Sequence, residues 1–344
     1  MHSHRSLTDR RAARRTVLRL AAVAIGTLAV GGPLRNLAVA AQDATPEATA
    51  AIHAVAGPGE NEVTVTHAQG ETVVPLNPEK VFSFDIASID TLQALGIPVA
   101  GMPDLATGGE RYASEGVVNI GSLFEPDYES VAAEQPDLII VAARSAEALP
   151  ELSKIAPTID LTASGTSFLG DMAANARVLG EIFGKQAETE AALADIDEHV
   201  AALREQAADQ GTALVIMSTG GSVTALAPGA ATAGRGALIY ETLGFTPPLA
   251  DIESATHGEP ISFEFLLEHN PDWLFVIDRD AAIGEEGGQP AEQVLDNEIM
   301  HQTTAWQNGQ IVYLNPFDWY IITGAGLDSM QRMLGELDTA LSGE

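Results

Sequence analysis

Gln135-Pro-Asp-Leu-Ile-Ile-Val141 and Asn270-Pro-Asp-Trp-Leu-Phe-Val276 are two copies of one pattern. Each follows a stretch of helical periodicity, residues 127–134 in the first half and 262–269 in the second, and each continues as an apolar run of strand length. Apolar runs that do not alternate are strands buried on both faces, and strands of that kind separated by helices belong to a parallel sheet covered by helices. Two copies make an internal pseudo-repeat. A ligand held between the two halves is its natural consequence.

The same alternation extends outward from both copies. Before the first lie strands at 80–85 and 99–102 with a helix at 89–95; after it come a helix at 146–155 and a strand at 157–161. Residues 62–67 and 71–74 alternate about Ala68-Gln-Gly70 and read as a hairpin. Residues 168–209 hold no strand. A helix over 168–183 stops at Gly184, and the next, over 186–209, carries Leu193, Ile196, Val200 and Leu203 at helical spacing without Gly or Pro. The alternation then restarts with strands at 212–217 and 222–227, a helix at 236–243, a strand at 310–314 and a last helix at 327–341. The fold class is α/β: two Rossmann-like lobes with mostly parallel sheets, residues 61–184 and 210–344, joined by one long rigid helix, residues 185–209.

Residues 1–41 read as a twin-arginine signal peptide. Arg14-Arg15 precedes an apolar run from Leu20 to Val30, and Ala38-Val-Ala40 offers a small-residue cleavage site. The run is too short to span a bilayer before Gly31-Gly-Pro33 interrupts it. Residues 42–60, rich in Ala, Thr, Pro and Glu, read as a flexible linker. The expected location is extracytoplasmic: periplasmic, or at the outer face of the cytoplasmic membrane. The 344 residues contain no cysteine, which excludes disulfides, thiolate metal sites and lipidation through a cysteine.

The net charge of the chain is −31. Beyond residue 41 there remain 10 basic and 47 acidic residues, a net charge of −37. Such a chain repels nucleic acid and anionic lipid. An arginine placed in a loop of so acidic a protein needs a reason to be there. There is no G-x-S-x-G, no H-E-x-x-H and no clustered His/Asp metal motif, which speaks against a hydrolase or metalloenzyme.

Several longer motifs carry a family resemblance. Val81-Phe-Ser-Phe-Asp-Ile-Ala-Ser-Ile-Asp-Thr-Leu-Gln-Ala-Leu-Gly-Ile97, Gly121-Ser-Leu-Phe-Glu-Pro-Asp127, Thr256-His-Gly258, Glu268-His-Asn-Pro-Asp-Trp-Leu-Phe-Val-Ile-Asp-Arg279 and Trp319-Tyr320 resemble the ABC-importer substrate-binding proteins with a helical hinge, in the branch that takes ferric catecholate siderophores of the enterobactin and petrobactin type. The resemblance covers roughly residues 62–344. It implies a non-enzymatic, monomeric binding protein. Its partners would be a ferric siderophore and an ABC permease with its ATPase, not nucleic acid. It would have no intrinsic cofactor, with Fe(III) arriving as part of the ligand.

By motif context the resemblance carries the ligand-binding arginines to Arg144, Arg235 and Arg279, and the iron ligands to His257 and Tyr320. Around Arg235 the family's Ser-Arg-Phe-Gly is replaced by Gly-Arg-Gly, and Tyr320 is followed by Thr323-Gly-Ala-Gly326. Glu129 and Glu264 open equivalent helices in the two halves, where related proteins dock onto their permease. An acid favours a helix N-terminus in any case. The chemistry of the implied set is coherent. Planar guanidinium forks pair with anionic catecholate oxygens, and an imidazole with a phenolate completes iron coordination left open by a tetradentate siderophore. Binders of haem, cobalamin or a hydroxamate siderophore on the same fold, or an extracytoplasmic hydrolase or metalloenzyme, are the competing readings.

Overall fold

The computed structural model describes residues 51–228, 235–249 and 258–343; the segment read as a signal peptide, and His257, lie outside the described residues. Three sheets are present among the described residues. The first is antiparallel, with order β1-β2-β3, from β1 (His53–Ala56), β2 (Glu62–His67) and β3 (Gly70–Pro75). The hairpin of β2 and β3 matches the alternation in the sequence. The strand β1 does not: residues 42–60 read as a linker, yet His53 to Ala56 pair with Thr66 to Val63 as an edge strand. An edge strand this exposed carries little apolar pattern, so the sequence had no periodicity to reveal it.

The second sheet is parallel throughout, with order β6-β5-β4-β7-β8, from β4 (Val81–Ser83), β5 (Gly101–Met102), β6 (Val118–Asn119), β7 (Leu138–Val141) and β8 (Thr158–Asp160). The third is mixed, with order β11-β10-β9-β12-β13, from β9 (Ala213–Thr219), β10 (Ser222–Ala225), β11 (Glu259–Ile261), β12 (Trp273–Asp278) and β13 (Ile311–Leu314). Here β9, β12 and β13 run parallel, and β10 and β11 add an antiparallel edge. Strand order reverses beside β4 in the second sheet and beside β9 in the third. In open α/β sheets, ligands gather at the carboxyl ends of strands flanking such a reversal.

The repeated motif has a structural reason in both halves. Gln135 and Asn270 end seven-residue helices, Tyr128–Glu134 and Phe263–His269, in the left-handed conformation at φ 50° and 42°. Proline then forbids further helix. The next aspartate clamps the start of the neighbouring strand: Asp137 Oδ2 accepts from the backbone N–H of Glu79 and Lys80, and Asp272 Oδ2 accepts from the N–H and hydroxyl of Thr212. A motif that looks like a helix stop is thus also the register clamp between β7 and β4, and between β12 and β9.

The helices Phe168–Ile182 and Gln186–Ala207 join the two parallel systems. Gln186–Ala207 buries Leu193, Ile196, Val200 and Leu203 against Phe168–Ile182 and the final helix, Leu327–Ser342. That final helix also packs on Ile86–Ala94, reaching back from the third sheet to the second. Gly326 permits the approach: a Cβ there would come within 2.4 Å of the Ala87 carbonyl oxygen and 2.6 Å of the Asp90 carboxylate. The region read as a helix over 146–155 is a 3-10 stretch, Ala143–Ala148, followed by one turn, Leu149–Leu152, because Pro150 interrupts the hydrogen-bond ladder. No helix among the described residues is long and apolar enough to cross a membrane.

Candidate functional site

Tyr320 lies in a π-helical turn, Phe317–Ile321, between β13 and the final helix, and is buried. Turns of this kind are rare and cluster at functional sites. The chain around it is pinned on every side. Asn315 Oδ1 accepts from the N–H of Phe317 and Asp318, Asn315 N–H donates to Glu336, and the Trp319 indole N–H donates to the other Glu336 oxygen at 2.8 Å.

The three arginines singled out in the sequence converge on this tyrosine. Arg144, which follows β7, donates from Nη1 to the Ile321 carbonyl at 2.8 Å and from Nη2 to the Tyr320 carbonyl at 3.0 Å. Arg235 Nη2 donates to the same Tyr320 carbonyl at 3.3 Å. Arg279, at the end of β12, donates from Nε to the phenol oxygen at 2.8 Å. The guanidinium carbons lie 6.0, 4.6 and 5.7 Å from the ring centroid, in the order Arg144, Arg235, Arg279. An electron-rich ring attracts cations over its face. Three cations around one ring is nevertheless a concentration of positive charge that a strongly acidic chain has gathered in one place.

The electrostatics carry the mark of that crowding. Burial, then the neighbouring charge of Arg144, lower the Arg235 pKa to about 10 against the opposing effect of Tyr320. Burial also lowers Arg144, against the raising effect of Tyr320 and Asp85. Among the described residues no carboxylate lies within ion-pair distance of Arg144, and Arg279 approaches only Asp280, at 4.0 Å. An anion placed here would gain guanidinium hydrogen bonds without displacing a close ion pair from Arg144.

A second charged cluster, absent from the sequence reading, braces the same turn from behind. Asp318, in the turn itself, receives Arg111 Nη1 at 2.9 Å and Arg332 Nη2 at 2.8 Å. Arg332 also binds Asp90 at 2.9 Å, and Asp90 accepts from the Tyr112 hydroxyl at 2.8 Å and the Ser329 N–H at 2.6 Å. Both carboxylates are buried. Arg111 and Arg332 belong to the same ten scarce basic residues as Arg144, Arg235 and Arg279. That signal was available, but Arg332 sits in a helical pattern where surface exposure is the plainer reading.

The remaining site residues are placed as follows. His257 is outside the described residues; the Gly258 that follows it is described, at φ 80°. Glu129 and Glu264 are exposed in the first turns of their helices, behind the capping residues Asp127 and Ser262. Exposed aromatic side chains, Phe124 and Tyr128, flank the first of them.

Comparisons with known proteins show the family. The family model described as periplasmic binding protein matches residues 40–316, and the chain belongs to that family. It is 38% identical over 287 residues to the petrobactin-binding protein YclQ of Bacillus subtilis, covering 81% of this chain and 88% of that protein. The crystal structure of YclQ superposes with a TM-score of 0.75 at 37% identity, covering 82% of this chain and 99% of that one. The structure of a TroA-like periplasmic binding protein from Xylanimonas cellulosilytica gives a TM-score of 0.73 at 42% identity, covering 79% and 92%. That of the periplasmic catecholate-siderophore binding protein VctP from Vibrio cholerae gives 0.73 at 29% identity, covering 81% and 99%.

Proposed function

We propose that this chain is an extracytoplasmic binding protein that captures a ferric catecholate-type siderophore between its two α/β lobes and delivers it to an ABC permease for iron uptake. The observation that carries the reading is the convergence of Arg144, Arg235 and Arg279 on Tyr320. Guanidinium groups supply forked donors to catecholate oxygens, and an anionic guest would offset the repulsion between Arg144 and Arg235. The relatives named above as binders of petrobactin and of a catecholate siderophore support the same cargo class.

Iron enters as part of the ligand, so the protein needs only to finish its coordination. A ferric ion prefers oxygen donors. The phenol oxygen of Tyr320 already meets a cationic donor, Arg279. His257 supplies the second ligand in this reading. Binding then replaces the Arg279–Tyr320 hydrogen bond with an iron–phenolate bond, the phenol proton passing to solvent, and frees Arg279 for the catecholate. Glu129 and Glu264, exposed at matched places in the two lobes, are assigned to docking on the permease, and the protein is assigned as a monomer.

An absorbance titration tests the reading. A tetradentate ferric bis-catecholate, a hexadentate ferric tris-catecholate and a ferric hydroxamate are each added to the wild type and to Tyr320→Phe. The bis-catecholate is expected to bind and to shift its charge-transfer band in the wild type alone, while the tris-catecholate shows little change. Saturable binding of the hydroxamate alone, or an identical band in Tyr320→Phe, overturns the assignment.

A further inference from the structure

A cavity of about 310 Å³ opens at the carboxyl ends of β4, β7 and β8, with Asp85, Phe168, Met172, Asn175 and Thr323 in its wall. It lies beside the reversal of strand order in the second sheet, between the strands β4 and β7. Ala142 and Ala143, which also line it, lead directly into Arg144. The cavity therefore adjoins the arginine cluster but is not made of it.

Its polar side chains are the carboxylates of Asp85 and Asp171, the Asn175 amide and the hydroxyls of Thr162, Ser164 and Thr323. Among the described residues, Asn175 Oδ1 and Thr323 Oγ1 are buried without a hydrogen-bond partner, and both residues line this cavity. The Asn175 amide nitrogen donates to the Leu161 carbonyl at 2.8 Å, which fixes the amide and leaves its oxygen to an outside donor. Asp85 is buried, and its carboxylate accepts from Ser88 N–H and hydroxyl, both through Oδ2. Most of the remaining wall is aliphatic or aromatic. A buried amide oxygen left without a donor is costly, and the unpaired Thr323 hydroxyl in the same cavity can accept as well as donate.

We propose that this cavity is a subsite for a nitrogen donor, an amide N–H or an alkylammonium, carried on a short apolar chain; on the reading above, that chain is an arm of the bound siderophore. The inference rests on that reading for the identity of the carrier, not for the chemistry of the pocket. The carbonyl oxygen of Asn175 can only accept, and Asp85 accepts when ionised, so the occupant must donate. A catecholate offers acceptors and negative charge, which these groups repel. The iron-bearing head is thereby directed to the arginines and the backbone arm to the cavity. Within the catecholates, the pocket would select by backbone. Burial raises the Asp85 pKa against the lowering effects of Ser88 and Arg144, and a bound ammonium would lower it again.

The test uses three probes with the whole protein: a ferric bis-catecholate bearing an n-butylammonium arm, the same chelate bearing an n-butyl arm, and n-butylammonium alone. The ammonium chelate is expected to bind about tenfold or more tightly than the butyl chelate, the effect of hydrogen bonds with a charged partner. Thr323→Val, which removes a hydroxyl that bonds nothing, should fold at least as stably as the wild type and shrink that ratio while leaving the butyl chelate unaffected. Asp85→Asn, which keeps an oxygen for the Ser88 cap, should shrink it as well. Equal affinity of the two chelates for the wild type overturns the subsite. If neither chelate binds, saturable methyl shifts at Met172 on adding n-butylammonium, weakened in Thr323→Val, keep the subsite and remove the siderophore reading. Absence of those shifts as well removes both.

Discussion

Arg144 and Arg279 stand nine residues after Gln135 and Asn270, at the same place in two copies of one motif, yet they are used differently. Arg279 opens a helix, Arg279–Ile283, capped by Asp278, and donates to the phenol oxygen of Tyr320 within its own half. Arg144 follows a residue held in the left-handed conformation, Ala143 at φ 43°, and its guanidinium reaches two backbone carbonyls of the turn beyond the third sheet. The cavities beside them differ in the same sense. One, of about 310 Å³, is mostly apolar; the other, of about 540 Å³, is rimmed by Arg279, Asp280, Glu285 and Glu286. The two motif copies give equivalent strand ends. On the proposed function, the second-sheet half couples the halves and reads the ligand's backbone, and the third-sheet half presents the iron ligand.

That division depends on the turn bearing Tyr320 staying where the second half puts it, and the cluster behind it does the holding. Arg332→Met would leave Asp90 and Asp318 buried with most of their compensation removed. Breaking a buried pair from one side costs about 3–5 kcal/mol, and a loss of at least about 3 kcal/mol in urea denaturation is expected here. A loss below about 1 kcal/mol would mean that the cleft arginines, not the cluster, fix the turn.

The next largest effect separates the two arginines directly. Arg144→Ala removes a cation for the ligand and both bonds that tie the halves together; Arg279→Ala removes a cation and one bond inside a single half. Ferric bis-catecholate affinity is expected to fall about 100-fold in the first and about tenfold in the second, with Arg144→Ala alone expanding the free protein in small-angle scattering. Equal losses with unchanged scattering would erase the distinction drawn between the two ends.

How much of this was legible follows from which residues have local signatures. The parallel sheets were readable because buried strands leave uninterrupted apolar runs such as Leu138-Ile-Ile-Val141 and Trp273-Leu-Phe-Val276. Arg144, Arg235 and Arg279 were readable as a set through the motifs of the family the chain resembles, and the scarcity of cations in this chain was consistent with it. The edge strands His53–Ala56 and Glu259–Ile261 were not, since they are short, half-exposed and, in the second case, contain Pro260. The brace formed by Asp90, Arg111, Asp318 and Arg332 joins residues more than two hundred positions apart, and nothing local in the sequence announces such a pairing. Asn175 and Thr323 were invisible for a different reason: their importance lies in bonds they do not make.

Asp85 adds a pH signature to the second-sheet half. Burial raises its pKa above the ordinary carboxylate value, so the folded state holds a proton that the unfolded chain has already released. The resulting penalty is complete above the folded pKa and fades as pH falls through it towards the unfolded value. Asp85→Asn removes the ionisable group and keeps an oxygen for the Ser88 cap. It should therefore stabilise the protein at neutral pH and lose that advantage near pH ~3.5, where both states are largely protonated. Thermal melts of wild type and variant across that range check the sign; an advantage that grew on acidification would show that the Arg144 attraction outweighs burial.

The smallest effect bears on how the two motif copies diverged in backbone. A left-handed residue other than glycine costs about 1–2 kcal/mol in local conformation, and glycine restores part of that at the expense of a freer unfolded chain. Ala143→Gly should thus gain a few tenths of a kcal/mol, provided the N–H at 143 keeps its 2.7 Å bond to Thr162 Oγ1. The counterpart change runs the other way. Asp278 has φ −89°, and its carboxylate accepts from Ala281 N–H at 2.9 Å and Ala291 N–H at 2.8 Å, so Asp278→Gly loses a helix cap and should cost about 1 kcal/mol. Opposite signs at equivalent positions, read from denaturant midpoints at unchanged m, would place the divergence of the two arginines in the residue that precedes each. Equal signs would place it in the side chains they meet.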